Sequence, residues 1–140
     1  MDYAERLKRN LALSDETMVR MARASQAEDF FALLKEYIRL RFVIDDGDFW
    51  SDDIRELASF SLEHQRAAIG GGEPDGLRDT SLNCAGASSA ETKQILLLMK
   101  LKKDLTIDLS PEYIGTAKSV SDIAQRAFSQ IEARRAAGQI

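Results

Sequence analysis

The sequence predicts an all-α protein, and three observations predict it. Apolar residues recur at helical spacing through most of the chain, and Gly and Pro gather in a few places that read as helix ends. Strand-like alternation occurs in one short segment only, LTIDL at 105–109, with no partner segment in view. Ser14, followed by Asp15, Glu16 and Thr17, marks a helix start ahead of an apolar stripe of Met18, Val19, Met21 and Ala22. Residues 27–44, AEDFFALLKEYIRLRFVI, set Phe30, Phe31, Leu34, Tyr37, Ile38 and Phe42 at helical spacing. Glu28 and Asp29 there stand where negative charge favours a helix N-terminus.

The cluster DDGDFWSDD at 45–53 reads as a turn, after which Ser51 or Asp52 caps a helix running to Ile69 through Ile54, Leu57, Ala58, Ser61 and Leu62. Gly70, Gly71, Gly72, Pro74 and Gly76 stop that helix, and a loop to residue 88 follows, long enough to suggest a functional segment. The next helix runs from Ser89 to Asp104. Ser110 before Pro111 predicts a short capped helix. Val120, Ile123, Ala124, Ala127, Phe128 and Ile131 define the last one, Ser119 to Arg135. The chain divides into an N-terminal helical extension, 1–50, and a helical bundle, 51–140.

Composition narrows the function classes. At 140 residues and 44% hydrophobic content the chain suits an ordinary globular domain. Residues 1–48 carry eight basic and ten acidic side chains and residues 49–140 eleven and thirteen, so neither part has the basic footprint of a nucleic-acid binder. The start, MDYAERLKRN, lacks the apolar core of a signal peptide, and ILLLMKL at 95–101 is too short to span a bilayer, which together predict a cytoplasmic protein without a membrane partner. A single cysteine, Cys84, permits no intramolecular disulfide and no cysteine metal cage.

The motif that raises a chemical question is CAGASSAET at 84–92, two serines where a helix begins. Ser88 with Glu91 three residues on is a capping box, S-x-x-E, and caps explain most such serines. The order around it is more specific: helix, long glycine-rich loop, serine-started helix, short Pro-capped helix, final helix. That order resembles the acyl and peptidyl carrier proteins over residues 51–136. Their motif is L-G-x-[DH]-S-[LM], often with Thr three residues after the serine; Gly86, Ser89 and Thr92 match it, whereas Ala85, Ser88 and Ala90 depart from it. Downstream, residues 96–128 are similar to the carrier sequence, including the spacing between Ile107-x-Leu109 and Val120-x-x-Ile123.

The resemblance implies a carrier-protein-like four-helix bundle that is not an enzyme. It would hold an acyl or aminoacyl thioester on 4′-phosphopantetheine attached at Ser89, with Ser88 the second candidate and Gly86 leaving room for the modifying enzyme. Its implied partners are a phosphopantetheinyl transferase and an acyl- or aminoacyl-loading enzyme. A serine in the first turn of a helix suits the chemistry, since the phosphodiester it would bear is an anion at the positive end of the helix dipole. Extended back without gaps, the downstream match puts Glu91 at the serine position. Either the second helix is longer by two residues, or the attachment serine is gone and the chain is a carrier-like adaptor acting by protein–protein contact. Lys93, Lys100, Lys102 and Lys103, against Glu91 and Asp104, differ from the acidic second helix of fatty-acid-type carriers and suit different partners.

Other features read as structural. Cys84 has no sequence-adjacent base, and the single histidine, His64, lies in another helix. Asp45, Asp46, Asp48, Asp52 and Asp53 lack EF-hand spacing and read as a turn and helix caps rather than a metal site. No Gly-Lys-Ser/Thr follows Gly70–Gly72, so that run is no P-loop. Phe30, Phe31, Tyr37, Phe42, Phe49 and Trp50 pack on the bundle, form a dimer contact or dock a dedicated partner. Docking is favoured, because a carrier-sized bundle does not need them.

Overall fold

Asp2, not Ser14, starts the first helix. In the computed structural model, which describes residues 2–45, 47–68 and 89–138, helix α1 (Tyr3–Arg23) is capped by the Asp2 carboxylate, which accepts from the Glu5 N–H at 2.8 Å. Ser14 is buried mid-helix; its hydroxyl donates to the Leu11 carbonyl at 2.7 Å and accepts from Arg41 at 3.3 Å. The inward face of α1 reads Asn10, Ser14, Thr17, Met18 and Met21. Its upstream part is polar, so apolar periodicity shows only near the C-terminus, and a back-bonded serine there imitates a cap. Val19 is 50% exposed and lies off that face, as does Ala22.

Helix α2 (Ala27–Phe42) follows a short link and packs along α1. Phe30, Leu34, Tyr37, Ile38 and Phe42 are buried, as their spacing predicts. Burial pushes the Tyr37 hydroxyl up to about 12. The seam with α1 is partly polar: Glu36 accepts from Thr17 at 3.2 Å and from Arg20 at 3.4 Å. The helix stops two residues before the expected Ile44. Val43 takes the left-handed conformation (φ 55°), the Ile44 N–H donates to the Arg39 carbonyl at 2.9 Å, and Ile44 turns into the core.

Four more helices complete the described residues: α3 (Ile54–Ala68), α4 (Ser89–Leu105), α5 (Pro111–Thr116) and α6 (Val120–Ala136). Asp53 caps α3, accepting from the Arg55 N–H at 2.8 Å and the Glu56 N–H at 3.2 Å. Asp52, expected to cap the same helix, instead reaches across to α6. Its carboxylate accepts from the Ser119 hydroxyl (2.7 Å), the Ser121 hydroxyl (2.7 Å) and the Ser121 N–H (3.0 Å). The backbone joins there too: the Val120 N–H donates to the Asp52 carbonyl and the Ile54 N–H to the Lys118 carbonyl, each at 2.7 Å. This is an isolated antiparallel bridge between Asp53 and Ser119, and no strand occurs among the described residues. LTIDL runs from the last residue of α4 into the α4–α5 link, with Leu105, Ile107 and Leu109 all buried. Ser110 caps α5, as its sequence predicts, accepting from the Tyr113 N–H at 3.1 Å.

The described chain is an all-α bundle with one buried cluster to which all six helices contribute, from Met18 and Met21 of α1 to Ile131 of α6. Residues of the 1–50 region therefore share a core with those that follow. Phe30, Tyr37 and Phe42 fill it, Phe31 and Trp50 pack at its edge, and Phe49 is 40% exposed. Each fully buried Leu, Ile or Phe contributes roughly 1.5–3 kcal/mol of transfer free energy. At the far end of α6, Arg135 donates to the Ala24 carbonyl (2.6 Å) and the Ala22 carbonyl (2.7 Å), satisfying acceptors at the C-terminus of α1. No helix among the described residues is long and apolar enough to cross a membrane.

The Asp52 cap has a testable pH signature. Burial acts to raise its carboxyl, but the hydrogen bonds from Ser119 and Ser121 and the charge of Lys35 outweigh it and hold the group below the usual carboxylate value. Its ionised form therefore favours the folded state above the unfolded-chain value of about 3.9, and that contribution is lost as pH falls through the lowered native value. Asp52→Ala is expected to lower the unfolding free energy at pH 7 by about 1 kcal/mol. In urea titrations the difference from wild type should shrink progressively below pH 4; a difference that is constant down to pH 2 would exclude the ionised cap.

Candidate functional site

The serine-bearing turn opens the fourth helix: Ser89 is the first residue of α4. Gly86, Ser88 and Cys84 lie outside the described residues. Two residues on, the Glu91 carboxylate stands 3.7 Å from Arg55 of α3. Arg55 reaches further, donating from Nε to Gln94 Oε1 at 2.8 Å and from its terminal nitrogen to the Gly115 carbonyl at 3.3 Å. Gln94 is fully buried, and its amide donates to the Ile114 carbonyl (3.1 Å) and the Ala117 carbonyl (2.8 Å). One guanidinium and one amide thus tie the first two turns of α4 to the start of α3 and to the C-terminal end of α5.

Sequence reasoning missed Arg55 and Gln94. The signal was available for Gln94: it heads the inward series Gln94, Leu97, Leu98, Leu101 and Leu105, all buried, so it is one polar residue on an apolar face. Such a residue needs internal partners, and the carbonyls at the end of a short helix are natural ones. Arg55 gave no comparable signal, because nothing in the sequence joins it to residues 91–115.

The lysines of α4 do not form one face. Lys93 lies over the Phe42 ring at 5.4 Å, where burial lowers its pKa. Lys100 pairs with Asp104 at 2.9 Å. Lys102 and Lys103 instead border an open groove of about 910 Å³ between α4, α5 and the C-terminal half of α6. Its apolar wall comprises Ile95, Met99, Ile107, Pro111 and Ile114.

On the α6 side, Gln130 accepts from the Asp108 N–H at 2.6 Å and donates to the Asp108 carbonyl at 2.8 Å. Arg134 donates to the Leu105 carbonyl at 2.6 Å and to the Thr106 carbonyl. A smaller cavity of about 340 Å³ lies between α2 and α6, beside Phe31 and Phe128.

The remaining sequence candidates resolve into structure. Asp45 pairs with Arg6 at 2.6 Å, Asp52 and Asp53 cap helices, and Asp46 lies outside the described residues. Among the described residues no group of three or more His, Cys, Asp or Glu side chains could hold a metal ion. His64 is exposed and rests its ring 4.9 Å from Phe60, which stacks in turn on Phe49 at 5.1 Å. Trp50 is covered by Arg39, 4.8 Å from its ring.

Compared with protein-family models, with curated proteins and with solved structures, the chain matches none. The functional reading therefore rests on its own residues.

Replacing Gln94 by Leu removes three hydrogen bonds and leaves two buried carbonyls unpaired. Each such group costs about 1–3 kcal/mol. The variant is expected to be destabilised by about 2–4 kcal/mol. Hydrogen exchange should accelerate in residues 111–117 before the rest of the bundle. Uniform acceleration across α1 to α6 would show that the Gln94 knot is not specific to α5.

Proposed function

We propose that the chain is a carrier protein, itself without catalytic activity, that bears 4′-phosphopantetheine on Ser89. The observation that carries this reading is the start of α4. The helix runs Ser89–Leu105 and so includes both Ser89 and Glu91 in its first turn. That favours a second helix longer by two residues over a lost serine. The surroundings fit the group: the first-turn N–H groups of a helix favour a phosphodiester anion, and Arg55 puts a cation against the same turn, near Glu91. When bound, the arm supplies the thiol on which an acyl or aminoacyl group rides as a thioester. The chain contributes position and tethering, which turn each delivery into a near-intramolecular encounter.

The adaptor reading keeps one observation of its own. Glu91, the residue at the ungapped serine position, is paired with Arg55. A carboxylate in that place would give a carrier-like bundle a fixed negative charge with no arm attached.

Intact-mass spectrometry separates the two. Wild type, Ser89→Ala and Ser88→Ala would be incubated with coenzyme A and a broad-specificity phosphopantetheinyl transferase. The expected result is a gain of one phosphopantetheinyl group in wild type and Ser88→Ala and none in Ser89→Ala. If folded wild type gains nothing with several transferases, the adaptor reading replaces the carrier one.

A further inference from the structure

We propose that the cavity between α2 and α6 is a binding site for a small arylalkylammonium, an aromatic ring on a short chain that ends in a protonated amine. The cavity holds about 340 Å³, enough for one ring and its chain. Its floor is apolar: Phe31 and Phe128, both partly buried, with the buried Ala124. Its rim is polar and exposed, with Glu28 on α2 facing Gln125 and Ser129 on α6. An aromatic floor below a few polar groups suits a ligand with a flat apolar body and one polar end.

Charge decides the sign of that end. Among the described residues Glu28 is the one charged side chain in the lining, and its carboxylate has no hydrogen-bond or ion-pair partner among them. The rings favour the same sign. The Lys35 ammonium stands 4.8 Å from the centroid of Phe31, so that ring already attracts a cation. Helix direction then orients the ligand. Arg135, near the end of α6, binds the Ala24 carbonyl just ahead of α2, whereas Lys35, later in α2, acts on Asp52, which holds Ser121 at the start of α6. The two helices therefore run antiparallel, and Glu28 lies at the Ser129 end of the cavity, away from Lys35. The ammonium belongs at the Glu28 end, and the Lys35 charge disfavours the reverse orientation. Residues 27–31 lie outside the part of the chain that resembles carrier proteins, and the site does not depend on Ser89.

The test titrates the unmodified full chain with phenethylammonium at neutral pH and follows its ¹H–¹⁵N NMR spectrum. Saturable shifts are expected at the amides of Glu28, Phe31 and Ser129 and at the Gln125 side chain, with Leu13 and Met99 unmoved. Ser129→Phe, at an exposed position, should fill the cavity and abolish these shifts while the rest of the spectrum stays intact. Phenylacetate, with the same ring and the opposite charge, should bind more weakly, and so should butylammonium, with the same charge and no ring.

Glu28→Lys should weaken phenethylammonium about fivefold or more, the scale of one reversed charge at a solvated rim. Glu63→Lys, which makes the same change of net charge at an exposed position outside the lining, should bind as wild type does. Ser89→Ala should also bind unchanged, which separates this site from the carrier reading. Non-saturating shifts that spread to Leu13 and Met99 would overturn the proposal. So would equal binding of phenylacetate, or binding that survives either Glu28→Lys or Ser129→Phe.

Discussion

The crossing of residues 52–54 with residues 118–121 is the constraint on which the arrangement of helices depends. Two backbone hydrogen bonds and the Asp52 carboxylate join segments far apart in sequence, and they do so where two helices start. Asp53 turns the chain into α3 while Asp52 supplies acceptors to α6. Adjacent aspartates therefore fix two helix origins at one point. The direction of α6 follows from that origin and from its other end, where Arg135 holds the last carbonyls of α1. A helix pinned at both ends gives Val120, Ile123, Ala127 and Ile131 a defined line along the core.

Within that frame, the remaining polar contacts act on α4 and α5. A short helix of six residues has too little surface to hold itself by burial, and Ile114 is its one buried apolar side chain. Gln94 and Arg55 supply what packing does not, binding the carbonyls of Ile114, Gly115 and Ala117. On the opposite side, Tyr113 donates to Asp122 at 2.6 Å and Arg126 covers the tyrosine ring at 4.2 Å, so α5 is also tied to α6. The end of α4 and the link 106–110 are held by Gln130 and Arg134. These ties set α5 beside α4 without closing the space between α4 and α6, and the groove is what that spacing leaves. Thr106, at φ 54°, makes the turn that sends Ile107 inward at its edge.

What the sequence made legible is what repeats. The faces of α2, α3 and α6 followed from apolar spacing, and the α5 start from Ser110-Pro111, because burial and local capping act over one or two turns. The upstream half of α1 was hidden because Asn10, Ser14 and Thr17 are buried polar residues, and the partners of Ser14 and Thr17, Arg41 and Glu36, lie on another helix. Asp52 read correctly as a cap but for the wrong helix, since a carboxylate does not record which N-terminus it faces. The aromatic cluster of residues 30–50 looked like a surface when the bundle was imagined without it; Phe30, Tyr37 and Phe42 are instead the interior that joins α2 to the rest. Of the candidate site, the start of α4 at Ser89 was legible. The Arg55–Gln94 knot and the groove were not, because both arise from contacts between residues 20 to 60 positions apart.

The two readings of the α4 start compete less than a linear alignment suggests. Positions 89 and 91 differ by about 200° around a helix axis, so they do not share a face. Glu91 is directed to Arg55, and through it the first turn is joined to a buried network. A residue so used is an anchor of the helix, and an anchor at 91 is directed to a different side of it from position 89. On the carrier reading, two added residues move the attachment point to the end of a helix whose next turn is held rigid. A tethered cargo is positioned better by an attachment point on a fixed base. On the adaptor reading the same anchor has no arm to support, and the serine ahead of it is a residue of the first helical turn and nothing more.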